Sequence, residues 1–388
     1  MSIGSSIVGR TIAGRFLSGL LVLLGTTAVV ADDSATGRTP AQNDRAAART
    51  LLTPDQWKRL DRAVDRGLAF LAKSQEADGS FPTAGNAQPA VTSLCIMAFL
   101  SRGHQPGKGP YGAQIDRAID YVLAMQDASS GAIMANRFIG GRDMCGNYSH
   151  GISGVMLAEV YGTTDAGRQA RIRVAVTRAL GYTRQQQKIR KRPDEQGGWR
   201  YPFRRQSDLS VTSWQLMFYR AARNAEFNVP EEWVKEAMDY VHRLFDVNQR
   251  SFVYGIGDSK QRYCTRGMAG AGIVCLALGG EHRSQTARIA GEWILRNSFE
   301  PYNNSRQADD RYHYGAFYCS QAMFQLGGDY WDRFFPPLLR VLAEAQHQDG
   351  SWDVESVQED QGFGNVYTTS LAVLALAAPY QILPIYQR

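Results

Sequence analysis

The chain has 388 residues, 44% of them hydrophobic and 21% charged, which excludes an intrinsically disordered protein and allows a large buried core. Its formal net charge is +6, and it falls to +4 without residues 1–31, which carry Arg10 and Arg15 and no acid. An excess this small gives no argument for binding nucleic acid.

The chain begins with a segment typical of a secretory signal. Arg10 and Arg15 precede an apolar run over residues 16–30, and a small-residue cleavage site ends at Ala31. The apolar run is shorter than the ~20 residues that a bilayer-spanning helix requires. We therefore predict a cleaved signal peptide over residues 1–31, export to the periplasm or beyond, and no transmembrane segment in the mature chain.

Ordered structure is predicted to begin at Thr53, after a flexible leader over residues 32–52 that is rich in Ala, Asp, Arg, Thr and Gln. Thr53 to Gln56 supplies an N-cap, a proline at the first helical position and a glutamine that can close a capping box. Apolar residues then follow on one face from Trp57 onward, and the same one-sided pattern returns near Ile115 and Val234. These segments are predicted to be outer helices.

A second kind of helix alternates with the first and is apolar all round its axis, as over residues 267–279 and 369–378. A helix that is apolar on every side is buried on every side. Six similar segments recur at intervals of 48–61 residues, with Thr92, Gly151, Thr212, Gly267, Gly315 and Thr369 at equivalent positions. Alternating helices of these two kinds predict an all-α fold over residues 53–388, a six-fold α/α toroid of helix pairs.

The outer helices are predicted to end in glutamine-glycine-aromatic turns. Clear copies are QEADGSF at 75–81, QGGW at 196–199 and QHQDGSW at 346–352, with degraded copies at Gln126 and Gln249. The glycine can adopt positive φ, and the aromatic ring can hold the turn against the neighbouring repeat. We interpret these turns as structural.

With these turns and helix pairs, the chain resembles the prenyltransferase and squalene cyclase repeat family over roughly residues 57–380. The resemblance implies an α/α toroid with a central cavity. It does not imply one activity, because the family includes cyclases, protein prenyltransferases and secreted members with no evident chemistry.

Squalene-hopene type cyclases carry Asp-x-Asp-Asp-Thr at the start of an inner helix, and the middle aspartate protonates the alkene. Here the segment Asp208 to Thr212 keeps the first aspartate and the threonine, but Ser210 and Val211 replace the two other acids. A hydroxyl group is not the strong acid that alkene protonation requires. Asp208 is the candidate catalytic residue that the resemblance carries over, although we expect it to be the N-cap of the inner helix, and cyclase activity is disfavoured.

Protein prenyltransferase β subunits hold zinc with Asp-x-Cys on one repeat and a histidine on the next. Cys264 and His313 match this pattern and are candidate metal ligands, but Arg262 stands where the aspartate is expected. The alternative is a buried thiol and a hydrogen-bonded histidine. No cofactor is expected apart from this possible zinc ion, whose third ligand would come from Asp258, Asp309 or Asp310.

Ten aromatic or imidazole side chains lie near the predicted starts of the inner helices: Tyr148, His150, Trp199, Tyr201, Trp214, Tyr263, Tyr312, Tyr314, Tyr318 and Tyr367. In this family such rings line the cavity and can bind cationic or isoprenoid groups, whereas ordinary barrel packing is the alternative. We predict a cavity for an apolar isoprenoid or lipid. Two other functions stay open: a scaffold protein whose cavity is filled by side chains, and a polysaccharide lyase or hydrolase using Asp208, Asp309 and Asp310.

Overall fold

A computed structural model describes residues 51–135, 145–202, 204–257 and 261–387 of the protein. These residues belong to one compact unit. The predicted signal peptide and residues 32–50 of the predicted leader lie outside the described residues, so the cleavage and export predictions stay predictions. Leu52, the last residue of the predicted leader, is instead buried in the core.

Twelve α-helices alternate between an outer and an inner ring in the described part of the chain. The outer helices are α1 (Pro54–Ser74), α3 (Gly112–Ala124), α5 (Ala166–Gln187), α7 (Glu231–Arg243), α9 (Gln285–Arg296) and α11 (Asp329–Ala345). The inner helices are α2 (Ala90–Ser101), α4 (Gly146–Val160), α6 (Leu209–Asn224), α8 (Arg266–Leu278), α10 (Tyr312–Leu326) and α12 (Gly364–Leu376). A short antiparallel ribbon, β1 (Phe245–Asp246) and β2 (Ser251–Phe252), follows α7. The predicted α/α toroid is confirmed.

The two kinds of helix differ in burial as their sequences require. Every residue of α2 is buried, whereas α1 buries one stripe that includes Leu60, Val64 and Leu68. Each inner helix packs against the next, and α12 packs against α2, so the inner ring is closed. Within the described residues, no helix combines the length and the apolar character that crossing a membrane requires.

The threonines at three inner-helix starts have the same role, as their equivalence in the sequence predicts. The hydroxyl of each threonine accepts a hydrogen bond from the backbone N–H of the aromatic residue in the preceding turn. The pairs are Phe81 with Thr92, Trp199 with Thr212 and Trp352 with Thr369, at 3.2, 3.0 and 3.2 Å. Each of these turns is thereby bound to the inner helix that follows it.

A glutamine at the end of four outer helices joins neighbouring repeats. Its side-chain N–H group donates to the carbonyl of the turn glycine and to a carbonyl on the next outer helix. The sets are Gln75 with Gly79 and Gln114, Gln126 with Gly131 and Ala175, Gln187 with Gly197 and Trp233, and Gln346 with Gly350 and Ala63.

Two details of the predicted turns are therefore corrected. Gln126, predicted to be part of a degraded copy, makes the full set of contacts, and Gln187 rather than Gln196 makes them in the third turn. Gln249 does differ, because the β-ribbon follows its helix and its amide donates to the Arg262 carbonyl at 3.2 Å.

Candidate ligand cavity

A cavity of about 500 Å³ lies at the N-terminal ends of the inner helices. All six inner helices contribute residues from their first turns to its wall, because the helices run in the same direction round the ring. Small-molecule sites commonly have volumes of about 300–1,000 Å³. The aliphatic part of the wall includes Val91, Leu94, Ile152, Met268 and Leu371.

The wall contains six of the ten predicted ring residues: Tyr148, Tyr201, Trp214, Tyr263, Tyr314 and Tyr367. His150, Trp199, Tyr312 and Tyr318 lie outside this wall, contrary to the prediction. Tyr254 and Phe363, which are not among the ten predicted residues, also line the cavity. Eight aromatic side chains therefore surround the space.

The four rings outside the wall are held by other contacts. His150 receives the Ile133 backbone N–H at 3.2 Å and lies 2.8 Å from the Thr183 hydroxyl, and burial lowers its pKa to about 3. The remaining contacts are Trp199 Nε1 to the Thr183 carbonyl, the Tyr312 hydroxyl to the Phe299 carbonyl, and the Tyr318 hydroxyl to the Ser213 hydroxyl. These residues pack within and between the layers.

Asp208 is the N-cap of α6, as expected. Its carboxylate accepts the Val211 backbone N–H at 2.7 Å and lies 3.4 Å from Arg200 Nη1. Burial raises the pKa of Asp208 to about 6, although Arg200 and the Val211 N–H oppose the shift. The side chain is fully buried and is not part of the cavity wall, so this carboxyl group is not placed to protonate a ligand there.

Arg200 connects Asp208 to the aromatic wall. Its guanidinium carbon lies 4.9 Å from the ring centre of Tyr201 and 5.4 Å from that of Tyr254. The hydroxyl groups of these two tyrosines are 3.0 Å apart. The positive charge is thus neutralised by Asp208 on one side and covered by aromatic faces on the other. Tyr254 follows the β-ribbon, where the repeat is irregular, so the pattern gave no signal for it.

Ser210, which replaces the expected acid, also lines the cavity. Its hydroxyl lies 2.6 Å from the Tyr314 hydroxyl, across the ring from α6 to α10. The residue therefore holds an aromatic side chain of the wall instead of supplying an acid.

The charged part of the wall consists of Asp309, Arg311, Glu359 and Asp360. Arg311 forms two hydrogen bonds to the Asp360 carboxylate, at 2.6 and 3.2 Å. Burial raises the pKa of Asp360, and Arg311 opposes this shift. Arg311 is the residue before α10 and corresponds to Asp208 before α6. The repeat pattern could therefore have predicted that Arg311 lies at an inner-helix start. No comparable sequence signal points to Asp360.

The candidate metal ligands have other surroundings. His313 is fully buried, with Nε2 3.2 Å from the Tyr302 hydroxyl and Nδ1 3.6 Å from Glu355. Glu355, which no sequence motif indicates, accepts the backbone N–H groups of Tyr312, His313 and Tyr314 at the start of α10. Cys264 is buried, and burial raises the pKa of its thiol to about 12. A thiol with a raised pKa is a poor metal ligand unless a cation displaces the proton.

The other residues considered for a zinc site are paired with oppositely charged side chains, apart from one that is not described. Arg262 pairs with Asp246 at 3.1 Å, Asp310 accepts from Arg266 Nε at 2.9 Å, and Asp309 lies 3.5 Å from Arg311. Asp258 lies outside the described residues. Among the residues that are described, no three His, Cys, Asp or Glu side chains are grouped as a metal ion would require. The zinc site stays a prediction without support from these contacts.

The fold and the cavity together define the class: an α/α barrel with an aromatic-lined central space. No family model matches the chain, and no curated protein sequence matches it. Several solved structures are similar to the chain, with sequence identities of 11–16%. Similarity at this level of identity shows the fold alone.

A variant of type II terpene cyclase MstE from Scytonema, in complex with merosterolic acid A as product, is 16% identical with a TM-score of 0.55, over 85% of this chain and 99% of that one. An inactive variant of an α-1,6-mannanase from Salegentibacter sp., in complex with α-1,6-mannotriose, is 13% identical with a TM-score of 0.59. The match covers 83% of this chain and 99% of the mannanase. A D-mannose isomerase is 11% identical with a TM-score of 0.56, over 82% and 96%.

Proposed function

We propose that the mature chain is exported and binds an apolar small molecule, an isoprenoid or another lipid, in the central cavity. The observation that carries this proposal is the wall, in which eight aromatic side chains and several aliphatic ones surround about 500 Å³. Burial of apolar ligand surface against such a wall is favourable by about 25 cal/mol per Å². The similar terpene cyclase has been solved with geranylgeranyl dihydroxybenzoate as substrate, a ligand with an isoprenoid chain.

The proposal is binding without cyclisation of the squalene type. Ser210 and Val211 occupy the positions of the two acids, and the Ser210 hydroxyl is engaged with Tyr314. Asp208, the remaining carboxylate, caps a helix behind the cavity wall and is paired with Arg200. Proton donation to an alkene requires an acid within hydrogen-bonding reach of the reacting carbon, and none of these residues meets that requirement.

A polysaccharide enzyme is the second candidate, because Asp309, Glu359 and Asp360 line the cavity and a similar structure is a mannanase. Arg311 holds Asp360 in two hydrogen bonds and lies 3.5 Å from Asp309, however, so two of the three carboxylates are paired with a cation, whereas a glycosidase needs two carboxylates that are free to act on the substrate. A scaffold with a filled interior is less well supported, because the cavity leaves room for a ligand.

Extraction of the natively purified mature chain with organic solvent, followed by mass spectrometry, tests the proposal. We expect an apolar compound at near-stoichiometric amount. Leu94→Trp should reduce the retained amount at least about tenfold, because Leu94 lines the cavity and the larger ring fills it. The matched control is Val174→Trp on α5, a position that is 51% exposed, which should retain the compound.

Thermal unfolding of both variants would establish that they are folded. Absence of any apolar compound from the wild type, together with binding of mannotriose, would favour the polysaccharide candidate. Equal retention by Leu94→Trp and Val174→Trp would place the compound outside the cavity and contradict the proposal.

A further inference from the structure

The charged residues of the cavity wall all lie at one end of the cavity, which we call its mouth. Asp309 and Arg311 precede the first residue of α10, and Glu359 and Asp360 precede the first residue of α12. Leu371 lies seven residues after the start of α12, which is about 10 Å deeper at 1.5 Å per residue. Asp309 and Glu359 are exposed, whereas Leu371 is fully buried. The cavity is therefore charged where it opens and apolar further in.

The mouth carries more negative than positive charge. Its described residues include three carboxylates and one guanidinium, a net charge of −2. Arg311 donates two hydrogen bonds to Asp360 and lies 3.5 Å from Asp309, and its ion pairs do not include Glu359. An anionic ligand group would meet like charges here and would compete with Asp360 for Arg311, whereas a cationic group would meet opposite charges.

Tyrosine rings supply much of the surface that a ligand can reach. Six tyrosines of the wall are half-buried, whereas the deeper Leu94 and Leu371 are almost fully buried. Two pairs of these tyrosine rings are in contact, with ring centres 5.3 and 6.3 Å apart. The faces of such rings attract cations. The six are Tyr148, Tyr201, Tyr254, Tyr263, Tyr314 and Tyr367.

The rings and the charged groups are neighbours. Burial raises the pKa of Tyr263, and the nearby charge of Asp309 adds to the shift while that of Arg311 opposes it. Burial acts to lower the pKa of Arg311, but the bonded Asp360 and the nearby Tyr148 hydroxyl raise it overall. Aromatic faces and carboxylates thus belong to the same region of the wall.

We propose that the ligand carries a positively charged amine, bound at the mouth by the carboxylates of Asp309 and Glu359 and by the faces of the tyrosine rings. The N–H groups of a primary ammonium group would donate to the carboxylates, and the rings would face its charge. Arg200, behind the wall, is paired with Asp208 and leaves this balance of charge unchanged. The inference rests on the proposed function and narrows its ligand class to cationic amphiphiles.

Binding of farnesylamine, farnesol and farnesoic acid tests the inference, because these compounds share a chain and have a positive, a neutral and a negative headgroup at pH 7. Isothermal titration of the mature chain at low ionic strength should show farnesylamine binding at least about tenfold more tightly than either other compound. Salt at about 0.5 M should weaken the binding of farnesylamine and leave that of farnesol unchanged. The formal charge of +4 on residues 32–388 would by itself favour farnesoic acid, so a preference for the amine reports the cavity.

Two substitutions remove one carboxylate each from the mouth. Asp309→Asn and Glu359→Gln should each reduce the preference for farnesylamine over farnesol at least about threefold, while the affinity for farnesol changes by less than about twofold. Asp309 has a φ of +66°, a conformation that asparagine also adopts, so the backbone is preserved. Asp239→Asn is the matched control, because Asp239 lies on α7 outside the wall and its side chain is 50% exposed.

A third pair of variants tests the role of the rings. Tyr263→Leu removes a ring beside Asp309 and should reduce the preference for farnesylamine at least about threefold. Tyr263→Phe keeps the ring and should keep the preference, because the face of the ring and not its hydroxyl group attracts the cation. Thermal unfolding would establish that each variant is folded.

Binding of farnesol or farnesoic acid as tight as that of farnesylamine by the wild type would overturn the inference and leave the proposed function standing. Failure of all three compounds to bind would overturn both. A preference that is unchanged in Asp309→Asn and Glu359→Gln, or that Asp239→Asn reduces equally, would place the amine outside the mouth and would also overturn the inference.

Discussion

At the scale of single residues, Asp208 is a buried carboxylate at an inner-helix start that serves the fold. The carboxylate caps α6 through the Val211 N–H and is paired with Arg200, whose charge is covered by two tyrosine rings of the cavity wall. Burial disfavours the ionised form, whereas the cap and the ion pair favour it. Asp208 is therefore a structural residue whose charge state depends on pH near neutrality.

Asp208→Asn is expected to remove a pH dependence of stability. The folded-state pKa of about 6 lies above the ordinary value of 3.8, so the folded wild type binds the proton more tightly than the unfolded chain does. The free energy of unfolding of the wild type should therefore fall, relative to the variant, as the pH rises from about 4 to about 6. The total change is on the order of 3 kcal/mol.

Urea unfolding of the wild type and Asp208→Asn between pH 4 and 7 would measure this difference. Asparagine is also a good N-cap, so the helix start is preserved. Asp239→Asn, at a side chain that is 50% exposed, is the control for the loss of one surface carboxylate. A difference between the wild type and Asp208→Asn that stays constant with pH would contradict the prediction.

At the scale of elements, the sequence predicted the helix pairs well because their apolar patterns are either one-sided or uniform. The sequence predicted less well which way the side chains of the inner helices point. A helix that is apolar all round has no preferred face, so the pattern does not say which residues point into the cavity. His150 follows Tyr148 by two residues and is rotated about 200° from it, and only Tyr148 lines the cavity. Pairs such as Arg311 with Asp360 join segments far apart in sequence and carry no local signal.

The glycine of the turn after α11 is required by both its backbone angle and its surroundings. Gly350 has a φ of +97°, and a Cβ atom there would lie 2.3 Å from the Arg66 carbonyl oxygen on α1. Gly350→Ala should reduce the free energy of unfolding by at least about 2 kcal/mol, through left-handed strain and this clash. Denaturant unfolding at constant pH measures the effect.

Gly181→Ala is the matched control for that prediction. Gly181 lies within α5, is exposed, and would place its Cβ atom in open space. The same change should there stabilise the protein by about 0.5–1 kcal/mol, because alanine is the better helix former. Similar effects of the two substitutions would show that the Gly350 turn is less constrained than its geometry indicates.

At the scale of the whole molecule, the closed ring makes the cavity a property of all six helix pairs. The contacts between α12 and α2 and between α11 and α1 give the first and last repeats two neighbours each. An open solenoid has terminal repeats with one neighbour, and such repeats unfold more readily. The closed ring should therefore unfold in a single cooperative transition, with its closing contact as stable as its internal ones.

Gln346→Ala tests this closing contact, with Gln126→Ala as the internal equivalent. Each amide donates two hydrogen bonds of 2.9 Å, Gln346 to Gly350 and Ala63 across the closure, and Gln126 to Gly131 and Ala175 between sequential repeats. We expect each substitution to lower the free energy of unfolding by about 1–2 kcal/mol, because each removes two hydrogen bonds. The two losses should agree within about 0.5 kcal/mol, because the closing contact and the internal contact are equivalent in a closed ring.

Urea unfolding followed by circular dichroism and by tryptophan fluorescence would measure both the loss of stability and the cooperativity of unfolding. A much smaller loss for Gln346→Ala, or separate transitions for the two probes, would mean that the first and last repeats part in solution, and that the cavity is then open along that side.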